Sequence, residues 1–207
     1  MKETIFWRST MPKKTFFQLP EDKRQRIINA TYDEFIENEY EKVSIRGIAK
    51  RAGISVGSFY QYFYDKDELY IHLISAIERK IYLVQKGETE DSMFTENVID
   101  IEEICTEKEV KFDRTWYNVP TDIMRKFYFG EYFDMMGEDY RLELEELREK
   151  GKLKENIDID LVVYMYVTSM FNILMYFNKY NIVDNAEKMK IKKKFFRDVI
   201  PNGIMKK

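Results

Sequence analysis

Cysteine and histidine are nearly absent from this sequence, since each occurs once in 207 residues. The single cysteine, Cys105, excludes an intramolecular disulfide and favours a reducing compartment. His72 has no second histidine or nearby cysteine with which to bind a metal ion or support a Ser-His-Asp arrangement, so we expect it to have a packing or surface role. No glycine-rich phosphate loop occurs either. We therefore expect no enzymatic activity, no cofactor and no metal.

Long uninterrupted apolar runs are also missing. Residues 1–20 lack the continuous apolar core of a signal peptide. The most apolar stretch, 161–177, is interrupted by Thr168, Ser169 and Asn172, which makes it too polar for a membrane span. Because 44% of the residues are apolar, the chain can still bury a core. We expect a soluble cytoplasmic protein that does not bind a membrane.

Strand-like alternation is absent as well, and apolar residues recur at helical spacing. We predict an all-α fold of about nine helices, with a tail or arm over 1–19, a three-helix head over 20–66 and a larger helical domain over 67–207. In the first half of the chain we expect helices from Pro20 to about Asn38 and from Lys66 to about Gly87, followed by an irregular segment over 113–120. In the second half we expect helical structure from Thr121-Asp122 to Lys150-Gly151, with turns or bends at Gly130 and Gly137. Two further helices are expected from Asp158 or Asp160 to Tyr180 and from Asn185 to Ile200.

The most informative stretch is 44–69, where two short amphipathic segments are joined by Ala52-Gly53-Ile54-Ser55. This pattern is typical of a helix-turn-helix. Ser44 and Ser55 occupy the N-cap positions of the two segments, and Gly53 stands where a helix ends in a left-handed residue. In the first segment the apolar positions recur at i, i+3, i+4 and i+7, namely Ile45, Ile48, Ala49 and Ala52.

The second segment, 56–63, has an unusual outer face. Phe59 and Phe63 are four residues apart and are predicted to point inward. The opposite face, formed by Gly57, Ser58, Gln61 and Tyr62, is small and polar and lacks the Glu/Lys pairs of an ordinary exposed helix. We expect this face to contact a partner.

These residues carry a family resemblance. The pattern Ser44-Ile45-Arg46-x-Ile48-Ala49 through Ala52-Gly53-Ile54-Ser55-x-Gly57-Ser58-Phe59-Tyr60-x-Tyr62-Phe63-x-x-Lys66-x-x-Leu69 resembles the DNA-binding segment of the TetR family of bacterial transcriptional regulators. The match covers about the first third of the chain, and turn, caps and aromatic spacing agree over more than twenty positions.

Two positions depart from the family pattern. Asn38-Glu39 stands where members usually carry glycine, and we expect Asn38 to take the left-handed conformation. Gly47 replaces a commonly acidic residue inside a helix, where glycine costs roughly 1 kcal/mol relative to alanine. It either permits close approach to the phosphate backbone or is simply tolerated.

The resemblance implies a homodimer that binds a palindromic double-stranded DNA operator, with one recognition helix in each major groove. Ser44, Tyr60 and Lys66 are then candidates for phosphate contacts, and Ser55 begins the recognition helix. The candidates for base contacts are Arg46, suited to guanine, Gln61, suited to adenine, Ser58 and Tyr62, with Gly57 allowing close approach. Core packing is the alternative for Tyr60, and an ordinary exposed glutamine is the alternative for Gln61.

Charge is distributed in the direction that DNA binding requires. Residues 1–66 hold 12 Lys and Arg against 9 Asp and Glu, whereas residues 67–207 hold 22 against 28. The tail contains Arg8, Lys13 and Lys14 among aromatic residues. It is either a basic arm that reaches DNA or a terminus whose aromatics pack on the first helix.

The remainder of the chain is expected to sense an effector and to dimerise. Segments 160–180 and 185–200 form one apolar helix pair, and a two-fold partner would complete a four-helix bundle. The resemblance also implies an unknown small-molecule effector that moves the long helix after Lys66 and releases a repressor from DNA. Candidate effector-binding residues are Trp116, Tyr117, Phe127, Tyr128, Tyr132, Met136, Met165 and Phe171, and Asp134 is a nearby carboxylate that suits an aromatic cation-like effector.

An all-α interaction protein without DNA binding is the alternative function. It would share the buried pattern and differ only in the outer face of residues 55–62.

Overall fold

The computed structural model describes residues 12–88 and 101–206, in which the regular structure is helical and no β-strand is present. The all-α class is confirmed. The helices are α1 (Lys14–Phe17), α2 (Glu21–Glu37), α3 (Ile45–Ala52), α4 (Val56–Tyr62), α5 (Lys66–Glu88), α6 (Ile101–Ile104), α7 (Glu107–Arg114), α8 (Thr121–Phe129), α9 (Glu131–Glu149), α10 (Ile159–Lys179), α11 (Asn185–Lys193) and α12 (Ile200–Ile204), with 3-10 turns at Tyr40–Lys42 and Thr115–Asn118 and a π-helical turn at Lys194–Val199.

The predicted caps of the helix-turn-helix are confirmed. Ser44 Oγ accepts a hydrogen bond from the Gly47 amide at 3.0 Å, and Ser55 Oγ accepts one from the Ser58 amide at 2.9 Å. Gly53 ends α3 with a φ of 66°, the left-handed conformation that glycine adopts at low cost. Local side-chain chemistry therefore sets both helix starts and the tight turn between them.

Other predicted helix ends need correction. Asn38 is extended, with a φ of −131°, and its side-chain amide donates to the Glu34 carbonyl at 2.9 Å, so it caps α2 without a left-handed turn. Gly137 does not interrupt the chain as a turn or bend but lies inside the continuous helix α9. A Cβ there would come within 3.3 Å of Val163, so the glycine permits close packing on α10. Gly130 does separate α8 from α9.

Residues 107–118, part of which was expected to be irregular, are largely helical. Thr106 and Glu109 form a capping box at the start of α7, which continues into the 3-10 turn. At the carboxyl terminus, the last segment extends past Ile200 through Pro201 to Ile204.

The chain forms two compact units, the first of which runs to Glu78 and also includes Cys105–Ile123. Its centre is an aromatic cluster around Tyr70, whose ring lies 4.6 Å from Phe35, 5.0 Å from Phe112 and 6.1 Å from Trp116. Residues 105–123 thus complete the core of the unit that contains the helix-turn-helix. The division into a 20–66 head and a 67–207 functional domain stays a prediction.

His72 packs in the same unit between two aromatic side chains. Its ring lies 6.0 Å from Phe16 and 6.1 Å from Phe17, both edge-on. Burial disfavours the charged imidazolium and lowers the pKa of His72 to about 4. The histidine is therefore neutral at physiological pH and has a packing role.

The second unit consists of the described parts of Arg79–Ile104 and Met124–Lys207. A chain of aromatic contacts links its helices: Tyr82 to Tyr140 at 5.4 Å, Tyr140 to Tyr166 at 4.9 Å, and Tyr166 to Phe196 at 5.0 Å. The Tyr82 hydroxyl donates to the Asp139 carbonyl at 3.0 Å, which satisfies its polar end. Apolar packing of α9 against α10 thus forms the core of this unit.

Helix α10 has an apolar inner face and an apolar outer face. By length and hydropathy it is, within the described ranges, the one helix that could cross a membrane, but half of the qualifying window is buried inside the protein, as in an ordinary core helix. The exposed large apolar side chains of α10 and of its C-cap, here called the α10 outer face, are Leu161, Tyr164, Met165, Tyr176 and Tyr180.

Candidate nucleic-acid interface

An ion-pair cluster holds α3 against α2. Arg51 on α3 pairs through Nε with Glu34 at 2.7 Å, and its guanidinium also contacts Glu37. Glu34 is buried, and its carboxylate occupies the space next to Gly47, where a Cβ would overlap it. Gly47 therefore leaves room for this ion pair, which is a structural role distinct from the two alternatives that its position in the sequence suggested.

Lys66 holds the loop that precedes α3. Its ammonium donates to the carbonyls of Tyr40 at 2.7 Å and Val43 at 3.0 Å, and it lies 4.7 Å from the centre of the Tyr40 ring. The Tyr40 hydroxyl in turn donates to Asp67 at 2.7 Å. Two of the three ammonium donors thus point into the protein, and a phosphate contact by Lys66 stays a prediction.

The outer face of the helix-turn-helix is largely as the sequence predicts. Gly57, Tyr60 and Gln61 are exposed on α4, with Tyr60 at 48%, whereas Phe59 and Phe63 are fully buried. Core packing, the alternative for Tyr60, is therefore wrong. Ser44, Arg46 and Ser55 are also exposed, and the half-buried Ser58 hydroxyl is 2.9 Å from Ser55 Oγ.

Tyr62 requires a correction, because its predicted outward orientation is wrong. It is only 5% exposed, and its ring packs 6.4 Å from that of Phe16. Tyr62 follows Phe59 by three residues and so lies on the same side of α4. Base contact through its side chain is incompatible with this placement.

The exposed surface formed by the start of α3 and by α4, here called the reading face, carries no negative charge of its own. Residues 44–64 contain no Asp or Glu, whereas they contain Arg46, Lys50 and Arg51. Because phosphate oxygens repel carboxylates, such a segment can lie against a polyanion without that electrostatic cost.

Helix α1 was not predicted, and it contacts the end of α4. The Lys13 amide donates to the Tyr62 carbonyl at 2.9 Å, and Phe16 is 1% exposed with its ring 4.8 Å from Phe63. Phe16 is buried, but the rings around it belong to Tyr62 and Phe63 at the end of α4 and to His72 on α5, whereas packing on the first predicted helix was expected. The tail residue Arg8 lies outside the described residues.

The structure divides the predicted effector-binding residues between the two units. Trp116 and Tyr117 belong to the first unit, where Trp116 stacks on Tyr70. In the second unit, the ring of Tyr128 lies 5.0 Å from Phe127 and 6.1 Å from Phe171. The other members in the second unit are the buried Tyr132, the half-buried Met136 and the 54% exposed Met165.

Comparison with known proteins assigns this architecture to a family. The model of the family described as bacterial regulatory proteins, tetR family, matches residues 27–73, which include the whole helix-turn-helix. The HTH-type transcriptional regulator PksA of Bacillus subtilis (strain 168) is 30% identical over 150 residues, which cover 68% of this chain and 71% of PksA. The chain belongs to the TetR family. It is a DNA-binding transcriptional regulator of the helix-turn-helix type.

Other relatives match over shorter stretches of the chain. The transcriptional repressor KstR of Rhodococcus jostii (strain RHA1) is 39% identical over 59 residues, which cover 28% of this chain and 26% of KstR. Two solved structures share the fold. TylP, a TetR regulator from Streptomyces fradiae, has a TM-score of 0.58 and 18% identity, and the match covers 89% of this chain and 80% of TylP. SmeT of Stenotrophomonas maltophilia has a TM-score of 0.55 and 17% identity, and the match covers 90% of this chain and 93% of SmeT.

The space beside Gly47 can be tested by filling it with a methyl group. In Gly47→Ala the new methyl group displaces the Glu34 carboxylate from Arg51, so we expect the free energy of unfolding to fall by about 1–3 kcal/mol. In a Glu34→Ala background the same change should raise it, since alanine is the better helix former. Urea unfolding followed by circular dichroism measures both effects.

Gly57→Ala is the matched control, because the nearest atom to a Cβ there is Ser55 Oγ at 3.7 Å. It should not destabilise the protein. Equal effects of Gly47→Ala in both backgrounds would contradict the role assigned to Glu34.

Proposed function

We propose that this TetR-family regulator is a repressor that binds a palindromic operator as a homodimer and is released by a small-molecule effector. The observation that carries the proposal is the reading face, which is exposed, free of carboxylates over 44–64 and bounded by buried aromatic residues. A surface of this kind is suited to contact with a DNA major groove, whereas an ordinary solvent-exposed helix would carry charged pairs.

Contacts to DNA are assigned by side-chain chemistry. Gln61 presents an amide that can donate to and accept from adenine, and Arg46 can donate two hydrogen bonds to guanine. Ser44 and Tyr60 supply hydroxyls for phosphate oxygens, with Lys66 as a further candidate. Gly57, whose Cα faces outward without a side chain, allows the backbone of α4 to approach the groove.

Dimerisation is proposed through the α10 outer face. Leu161 and Tyr180 are each 57% exposed and Met165 is 54% exposed, so this one helix leaves large apolar side chains in water near both of its ends. Burial of these side chains against a second copy removes apolar surface from water in both chains. Helix α11 lies beyond α10 in the chain and supplies the other member of the proposed helix pair.

An effector site is proposed in the second unit, around the rings of Phe127, Tyr128, Tyr132 and Phe171. Aromatic side chains in contact with one another form the kind of apolar lining that small-molecule sites use. SmeT, one of the similar structures, has been solved as a complex with triclosan. Met165 is assigned to the dimer surface instead, because more than half of its side chain is exposed.

The direct test of DNA reading uses duplexes selected from random sequence by the wild-type protein. Gln61→Ala should weaken binding to the selected operator by about 1–3 kcal/mol and relax the preference at one base position. Gel-shift titration of operators that carry each base at each position measures both effects.

The matched control is Gln18→Ala, which removes an exposed glutamine outside the helix-turn-helix. It should leave the base preferences unchanged. Selection of no sequence by the wild-type chain would support the alternative, an interaction protein without DNA binding.

A separate test addresses the dimer. Met165→Glu places a charge among the exposed apolar side chains of the α10 outer face, beside Leu161 and Tyr164, so we expect it to convert a wild-type dimer into a monomer. Light scattering coupled to size exclusion gives the mass directly. Leu142→Glu on α9, where the leucine is 45% exposed, should remain dimeric. A monomeric wild type, or an unaffected Met165→Glu variant, contradicts the proposed interface.

A further inference from the structure

The last turn of α4 is held by the segment that precedes α2. An α-helix leaves its final carbonyls without partners inside the helix. In α4 the Phe59 carbonyl accepts from the Phe63 amide at 2.9 Å, which leaves the carbonyls of Tyr60, Gln61 and Tyr62.

All three of these carbonyls accept hydrogen bonds from Lys13 and Thr15. The Lys13 amide donates to the Tyr62 carbonyl at 2.9 Å, and the Lys13 ammonium donates to the Tyr60 carbonyl at 2.7 Å. The Thr15 hydroxyl donates to the Gln61 carbonyl. The ammonium also opposes the negative end of the helix dipole, which strengthens the contact.

Two further contacts fix this segment in place. Phe16 is 1% exposed and packs against Phe63 and His72, at ring distances of 4.8 Å and 6.0 Å. The Lys13 ammonium lies 4.0 Å from the centre of the Tyr64 ring. The donors of Lys13 and Thr15 are therefore held by a buried anchor instead of extending from a free chain end.

We propose that Lys13 and Thr15 are positioning residues for DNA recognition, which act through the backbone of α4 and not through contact with DNA. This inference rests on the proposed function. Tyr60 and Gln61 have exposed side chains but backbone carbonyls tied to Lys13 and Thr15. A seven-residue helix is too short to keep its last turn ordered by itself. Base readout requires that the last turn keeps a fixed orientation relative to the rest of the helix-turn-helix, because a side chain must meet a base edge with good hydrogen-bond geometry.

The test compares affinity for the selected operator with affinity for a scrambled duplex of equal length at one salt concentration. Lys13→Met combined with Thr15→Val removes both side-chain donors. We expect the ratio of the two affinities to fall about tenfold, the equivalent of one to two lost hydrogen bonds. Thr15→Ser keeps the hydroxyl donor and should keep the wild-type ratio.

Lys14→Met is the matched control for charge. Lys14 is exposed and adjacent to Lys13, so its removal should weaken both duplexes alike and leave the ratio unchanged. Thr15→Val alone removes one donor, leaves Phe16 in place and should lower the ratio by less than the double variant does. It serves as the test variant if the double variant has lost helicity by circular dichroism.

Two outcomes would contradict this proposal, and a third would contradict the proposed function on which it rests. An unchanged ratio in the donor variants overturns it. A loss shared equally by both duplexes, with a shallower dependence on salt, would instead make Lys13 a phosphate contact and also overturns it. A wild-type chain that selects no operator overturns the proposed function itself.

Discussion

Helix α4, which we propose as the recognition helix, is too short to be stable alone, and neighbouring residues supply the hydrogen-bond partners that its two ends lack. Isolated helices of fewer than about 12 residues are marginal in water. Helix α4 has seven residues, begins with the Ser55 cap and ends on carbonyls that accept from Lys13 and Thr15. Its inner residues, Phe59 and Phe63, are fully buried. With both ends and the inner face satisfied by protein, only the outer face remains for DNA.

Other contacts in the first unit hold α3 and the loop before it in place. Arg51 and Glu34 join α3 to α2, and Lys66 holds the loop between them through the Tyr40 and Val43 carbonyls. These polar contacts surround an aromatic core centred on Tyr70. The second unit has a different character, since α10 exposes large apolar side chains as well as burying them, a feature that the proposed dimer would require.

Features that depend on neighbouring residues in the sequence were predictable. The caps at Ser44 and Ser55 and the left-handed Gly53 follow from local chemistry, and the structure has each of them. Of the two aspartates predicted as alternative caps of α10, Asp158 and Asp160, the structure has Asp158. Helical periodicity likewise gave the all-α class and the long α5. The exposed positions of Tyr60 and Gln61 followed from the placement of Phe59 and Phe63.

Features that depend on distant residues were not predictable in the same way. The ring that packs on Tyr62 belongs to Phe16, from a distant part of the sequence, at 6.4 Å, and Gly47 is required by the Glu34 carboxylate. The inclusion of α7 in the first unit depends on Phe112 reaching Tyr70. A periodic pattern shows which side of a helix is apolar, but it does not show which segment packs there.

Protection of the reading face by DNA tests the central claim most directly. A cysteine at position 61 (Gln61→Cys) would react with a maleimide in the free protein, and saturating operator should slow that reaction strongly. A cysteine on α9 (Leu142→Cys) should react at the same rate with and without the operator, while Cys105 is buried in both variants. Equal labelling of Gln61→Cys in free and operator-bound protein would contradict the account.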